Sequence, residues 1–143
     1  MKKQNFLFLM FIAVTVAFSS CKKDDDENNN AKIVGKWNLK KEVETAYING
    51  QLRYTEEWPY EAGAYVEFKS DGTLLWNEDG SDAERYKYSV DGNKLSVIEE
   101  GDDDSETFTI EELTSSKLVF SEEDIDNEGN NQIKEVNQYI LEK

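Results

Sequence analysis

Asp124, Asp126 and Glu128 stand at alternate positions ahead of Gly129, and Glu135 falls twelfth counting from Asp124. Oxygen ligands at positions one, three, five and twelve, with glycine at six, are the spacing by which a short loop wraps a calcium ion. Position five is Glu rather than Asp or Asn, and the flanks read as strands rather than helices. An acidic hairpin tip centred on glycine is therefore the plainer account, and Asp102-Asp103-Asp104 reads as a solvated turn on the same grounds. Beyond this calcium candidate no cofactor is implied. Catalysis has little to work with: the chain has no histidine and one cysteine, Cys21. Ser-His-Asp triads, Cys-His pairs and His-ligated zinc sites cannot be built from that inventory. No pair among the 31 acidic residues stands out as the two carboxylates of a glycosidase. The chain is expected to be non-enzymatic.

The aromatic side chains offer a second kind of chemistry. Tyr and Trp combine a stacking face with a polar handle suited to sugars and amphipathic ligands. Tyr47, Tyr54, Trp58, Tyr60 and Tyr65 crowd one connection after the first strand. They form either a ligand gate or sticky surface, or an extra strand and loop whose rings pack on the body of the domain. Trp37, Phe68, Trp76, Tyr86, Tyr88, Phe108, Phe120 and Tyr139 lie at strand positions facing inward, as core first and as pocket lining second. Together with Tyr54 and Trp58 they are the candidate ligand-binding residues.

The elements that must hold these side chains are strands. Apolar residues recur with period two and almost never with period 3.6. Ile33, Gly35, Trp37, Leu39 and Val43 alternate through the first segment. Residues 65–77 read as a hairpin around Ser70-Asp71-Gly72, a three-residue loop with Gly in the left-handed position. That register sets Phe68 opposite Leu74 and Val66 opposite Trp76. Asp91-Gly92 reads as a two-residue turn setting Tyr88 against Leu95 and Tyr86 against Val97. Leu118 and Phe120 pair back towards Phe108 and Ile110, and Tyr139 and Leu141 are expected to face inward from the last segment. The pattern predicts an all-β, antiparallel up-and-down meander of eight or nine strands. Closure into a barrel spares such a meander its long exposed edges.

Ahead of the domain, Lys2 and Lys3 precede an apolar run from Phe6 to Phe18, broken only by Thr15, and then small residues. That order is a secretory signal peptide, too short for a bilayer span of roughly 20 residues. Residues 22–30 carry no apolar side chain, so residues 21–31 are expected to be a disordered acidic tether to a domain over residues 32–143. Removal of residues 1–20 takes away Lys2 and Lys3. That leaves 14 basic residues against 31 acidic ones, a net charge of −17. Such a polyanion is poorly suited to nucleic acid or anionic lipid.

Ser19-Ser20-Cys21 resembles the lipobox of bacterial lipoproteins, which implies acylation of Cys21 and cleavage before it. A lone thiol in an oxidising compartment is otherwise a liability. Lys22-Lys23-Asp24-Asp25 resembles the basic-then-acidic signal that sends some of them to the outer face of the outer membrane. Gly35-Lys36-Trp37, at the head of the first strand, resembles the Gly-x-Trp of lipocalins, and the meander and the leader together look like the small lipocalin-like domain of bacterial lipoproteins. The resemblance implies a Trp37 plug at the closed end of the barrel. It also implies an Arg stacked on that ring from near the last strand. The only arginines here are Arg53 and Arg85, neither in that strand, and Lys134 is the nearest cation, a poor replacement for a stacked guanidinium. It further implies a lipid-anchored, surface-facing module for a small apolar or amphipathic ligand. The alternative is an acidic interaction or inhibitor protein with a filled barrel core that binds a protein or glycan.

Overall fold

A computed structural model describes residues 25–143 of the chain. The segment expected to be a signal peptide, and Cys21, lie outside the described residues. A helix, α1 (Asp25–Ile33), is followed by nine strands: β1 (Gly35–Ile48), β2 (Gln51–Pro59), β3 (Tyr65–Phe68), β4 (Thr73–Asn77), β5 (Glu84–Asp91), β6 (Lys94–Glu99), β7 (Ser105–Leu113), β8 (Lys117–Glu128) and β9 (Asn131–Glu142). All pairings are antiparallel. Eight strands close into a barrel through the β1–β9 pairing, and β2 is an additional strand on the far half of β1.

The hairpin register expected for residues 65–77 is the one observed, with Val66 opposite Trp76 and Phe68 opposite Leu74. Gly72 has φ of +84°, a left-handed conformation that a side chain would strain. Asp71 completes the turn by accepting from the Thr73 backbone N–H at 2.9 Å. The next hairpin differs from expectation. Asp91 pairs with Lys94, so the loop is Gly92-Asn93, and Tyr88 meets Val97 while Tyr86 meets Glu99. The pairing moves by two residues, so every side chain keeps its face.

Inward-facing side chains fill the closed half of the barrel. Trp37, Val66, Phe68, Leu74, Leu95, Leu118, Phe120 and Leu141 are essentially sealed from solvent. Full burial of each such side chain contributes about 1.5–3 kcal/mol relative to exposure. The Trp37 indole plugs the closed end, as the lipocalin resemblance implies, and its Nε1 donates to the Ile33 carbonyl at 2.7 Å. The cation over that ring is Lys143, with Nζ 4.1 Å from the centroid. Lys134 instead pairs with Glu123, far from the plug. Gly35 has φ of +129°, and a Cβ there would approach the Lys143 amine at 3.4 Å, so both parts of Gly-x-Trp serve this end of the barrel.

Residues 25–33 are helical where the sequence suggests an unfolded tether. The helix has no apolar face of its own. It is held from outside: Asn29 Nδ2 donates to the Gly92 carbonyl at 3.1 Å and Asn30 Nδ2 to the Val90 carbonyl at 3.3 Å, while Ile33 is fully buried. α1, the 69–72 and 92–93 turns and Lys143 all lie at the closed end.

Past the open end, β1, β2, β8 and β9 run on as a four-stranded arm. β1 continues about six residues beyond the rim, roughly 20 Å at strand spacing. A bulge at Lys40, between the Leu39–Leu141 and Lys41–Ile140 pairs, reverses the facing of β1. Glu42 and Glu44 turn inward as a result, and Val43, expected to continue the apolar row, turns out.

Candidate functional site

The middle of the barrel holds a layer of rings. Trp76, Phe108, Phe120 and Tyr139, from β4, β7, β8 and β9, form one cluster in which every pair of centroids lies between 5.3 and 6.4 Å apart. Most of these pairs are edge-to-face, the geometry that aligns a positive ring edge with a negative ring face. Phe120 is sealed beneath the others. Trp76, Phe108 and Tyr139, joined by Tyr86 and Val97, form the floor of a cavity of about 240 Å³ at the open end.

The walls of that cup are carboxylates: Glu78, Glu84, Glu106 and Glu122. They follow from strand alternation. Trp76 is followed two residues on by Glu78, and Phe120 by Glu122. Glu84 precedes Tyr86 by two, and Glu106 precedes Phe108 by two. Successive inward positions thus step from aromatic floor to acidic rim on four strands. Glu99 after Val97 continues the ring. Glu42, turned inward by the bulge, completes it from β1.

Floor and rim are hydrogen-bonded to one another. Trp76 Nε1 donates to Glu78 Oε1 at 3.0 Å, Tyr86 Oη to Glu84 Oε2 at 2.5 Å, and Tyr139 Oη to Glu122 Oε1 at 3.3 Å. The hydrogen bond to Glu84, then burial, pushes the Tyr86 phenol well above its ordinary value. Burial, then the Glu122 charge, does the same for Tyr139. Both hydroxyls therefore stay protonated as donors. Glu42 accepts from Tyr60 Oη at 3.3 Å, yet burial and then repulsion from Glu78, Glu122 and Glu44 hold its carboxyl above the ordinary range.

Five ion pairs occur among the described residues: Lys40–Glu142, Lys41–Glu57, Arg85–Glu100, Lys117–Glu112 and Lys134–Glu123. None includes a carboxylate of the ring, and among the described residues no basic side chain lines the cup.

The candidate ligand residues are divided by the fold. Trp76, Tyr86, Phe108 and Tyr139 meet at the cup, with Phe120 directly below. Trp37 and Phe68 are core at the closed end, where Tyr88 packs edge-on against Phe68 at 5.0 Å and donates to the Lys69 carbonyl. Tyr54 and Trp58 lie on β2 in the arm, 41% and 53% exposed, so this extra strand does not pack its rings on the barrel. Tyr54 Oη donates instead to Glu44, which with neighbouring carboxylates raises that phenol to about 12. Tyr60 alone of the β2 region packs against the core.

The calcium pattern meets a different geometry. Asp124, Asp126 and Glu128 lie along extended β8, with Glu135 opposite Asp124 on β9, beside a shallow cavity of about 160 Å³. Alternate strand residues are roughly 7 Å apart, too far to converge on one ion as a loop does. Among the described residues no group of three or more acidic, His or Cys side chains is placed to hold a metal.

The glutamate ring lies one step beyond the apolar members of each inward row, where hydrophobic periodicity gives no signal. Continuing the period of two by one step reaches Glu78, Glu84, Glu99, Glu106 and Glu122. Glu42 required knowledge of the bulge.

Residues 33–120 match the family model for the lipocalin-like domain. No curated protein and no solved structure matches the chain.

Proposed function

The chain belongs to the lipocalin-like domain family, and on that footing we propose that it is a non-enzymatic binding module whose ligand seat is the cup at the open end. The observation that carries this is the aromatic floor lined by Trp76, Phe108 and Tyr139, of which Trp76 and Tyr139 stay partly exposed above a filled core. Ligand sites combine such apolar surface with a few placed polar groups. At about 240 Å³ the cup suits a ligand smaller than drug-sized molecules, whose pockets begin near 300 Å³. Ser19-Ser20-Cys21 and the charged residues behind it support acyl anchoring at Cys21 on the outer membrane, facing outward.

Native mass spectrometry of the protein recovered from its own cell envelope tests both parts. Acylated Cys21 and a co-purifying small molecule are expected. An unmodified Cys21 would overturn the anchoring. Absence of any bound molecule, together with no fluorescence response of Trp76 to small amphipathic compounds, would overturn the ligand seat.

A second reading has its own support. Leu52, Tyr54, Trp58 and Ile125 are exposed on the arm, and among the described residues one edge of β2 is unpaired, which suits a protein or glycan partner. Substituting Leu52 and Trp58 by Ser should abolish such binding and leave the cup unaffected.

A further inference from the structure

Resting on the cup as the ligand seat, we infer that its ligand is an organic cation: an ammonium group carried on a small apolar body. The floor supplies ring faces and edges from Trp76, Phe108 and Tyr139, and the walls supply Glu78, Glu84, Glu106 and Glu122. Aromatic faces attract cations through their quadrupole, and Trp does so best. An apolar body alone would be served by the floor. It would gain nothing from four glutamates, and an anion would be repelled by them.

Three of those carboxylates are already oriented by hydrogen bonds from the floor rings, Glu78 by Trp76, Glu84 by Tyr86 and Glu122 by Tyr139. That arrangement limits the ordering a ligand must impose. The carboxylates stand around a rim and do not converge, so the site lacks the coordination a metal ion requires. A diffuse positive charge with methyl or methylene groups fits it better. Among the described residues the ring is also uncompensated, because their ion pairs all lie elsewhere.

Three probes of similar size separate the possibilities in calorimetric and tryptophan-fluorescence titrations of the full-length chain: benzyltrimethylammonium, benzyl alcohol and phenylacetate. The cation is expected to bind at one saturable site about tenfold more tightly than the alcohol, with phenylacetate weakest. The double variant Glu84→Gln with Glu106→Gln should lose that preference. Glu67→Gln with Asp91→Asn, an equal charge change near the closed end, should keep it. Equal binding of alcohol and cation, or tighter binding of phenylacetate, would overturn the cationic ligand and leave the cup standing. Equal loss of preference in the two double variants would show general attraction to an acidic protein and overturn it too. Displacement of the cation by micromolar calcium would assign the rim to a metal ion instead. Failure of all three probes to bind would remove both the cation and the cup.

Discussion

Trp76 and Glu78 stand two residues apart on one inward row, joined by a 3.0 Å hydrogen bond from the indole Nε1 to Glu78 Oε1. One side chain belongs to the floor of the cup and the other to its wall, so the two surfaces are coupled.

Trp76→Phe keeps a ring against Phe120 and Tyr139 but removes the donor to Glu78. The barrel should persist with a loss of about 1–2 kcal/mol from the missing hydrogen bond and reduced contact. Affinity for a cup ligand should fall severalfold by calorimetry. Urea denaturation checks the first, and preserved affinity would show that Glu78 needs no orienting.

Glu42 sets the pH response of the mouth. Burial and then repulsion by Glu78, Glu122 and Glu44 raise its carboxyl above the ordinary 4.5, so the folded chain binds this proton more tightly than the unfolded chain. Stability from this group is present below 4.5 and is lost as pH rises through the raised value. Asp71 and Asp79 act in the opposite sense. The Thr73 backbone N–H and the Ser81 hydroxyl hold them below 3.8, and their contribution is lost as pH falls through their lowered values. Thermal melts should therefore peak in a mildly acidic window, and Glu42→Gln should flatten the decline towards neutral pH.

The plug is a costly site to truncate. Trp37 is sealed at the closed end, and Trp37→Ala should remove about 3–5 kcal/mol, much of a small domain's stability. Lys143→Ala removes only the cation above the ring and should cost about 0.5–1 kcal/mol. Denaturant midpoints of the two variants distinguish the contributions, and comparable losses would mean that Lys143 does more than cover the indole.

Amide exchange should divide the long strands of the arm. Residues 43–58 and 123–136 have few buried neighbours and should exchange well before the amides of β4 through β7. Uniform protection along β1 or β9 would argue that something covers the arm.

The sequence made the barrel legible wherever a turn was pinned by one residue type. Asp71-Gly72 fixed a register because glycine alone takes the required φ without strain. Asp91-Gly92 misled by one position, since Gly92-Asn93 has equally good turn chemistry, and the period of two protected the facing from the error. The Lys40 bulge left no trace, having neither glycine nor proline to mark it, and so the inward turn of Glu42 and Glu44 could not be seen. α1 was unreadable for another reason: it is held by hydrogen bonds from Asn29 and Asn30 to the Gly92 and Val90 carbonyls, 63 and 60 residues away, not by its own composition.

The position of α1 decides how the molecule is presented. The chain enters at the closed end, beside Trp37 and Lys143, while the mouth and arm lie at the opposite pole. An anchor at Cys21 would therefore set the plug towards the bilayer and turn the cup to the surrounding medium. Cargo would arrive by diffusion through water, and its first encounter would be with the acidic inner surface of the arm. A protein built to lift molecules out of a membrane needs the reverse polarity.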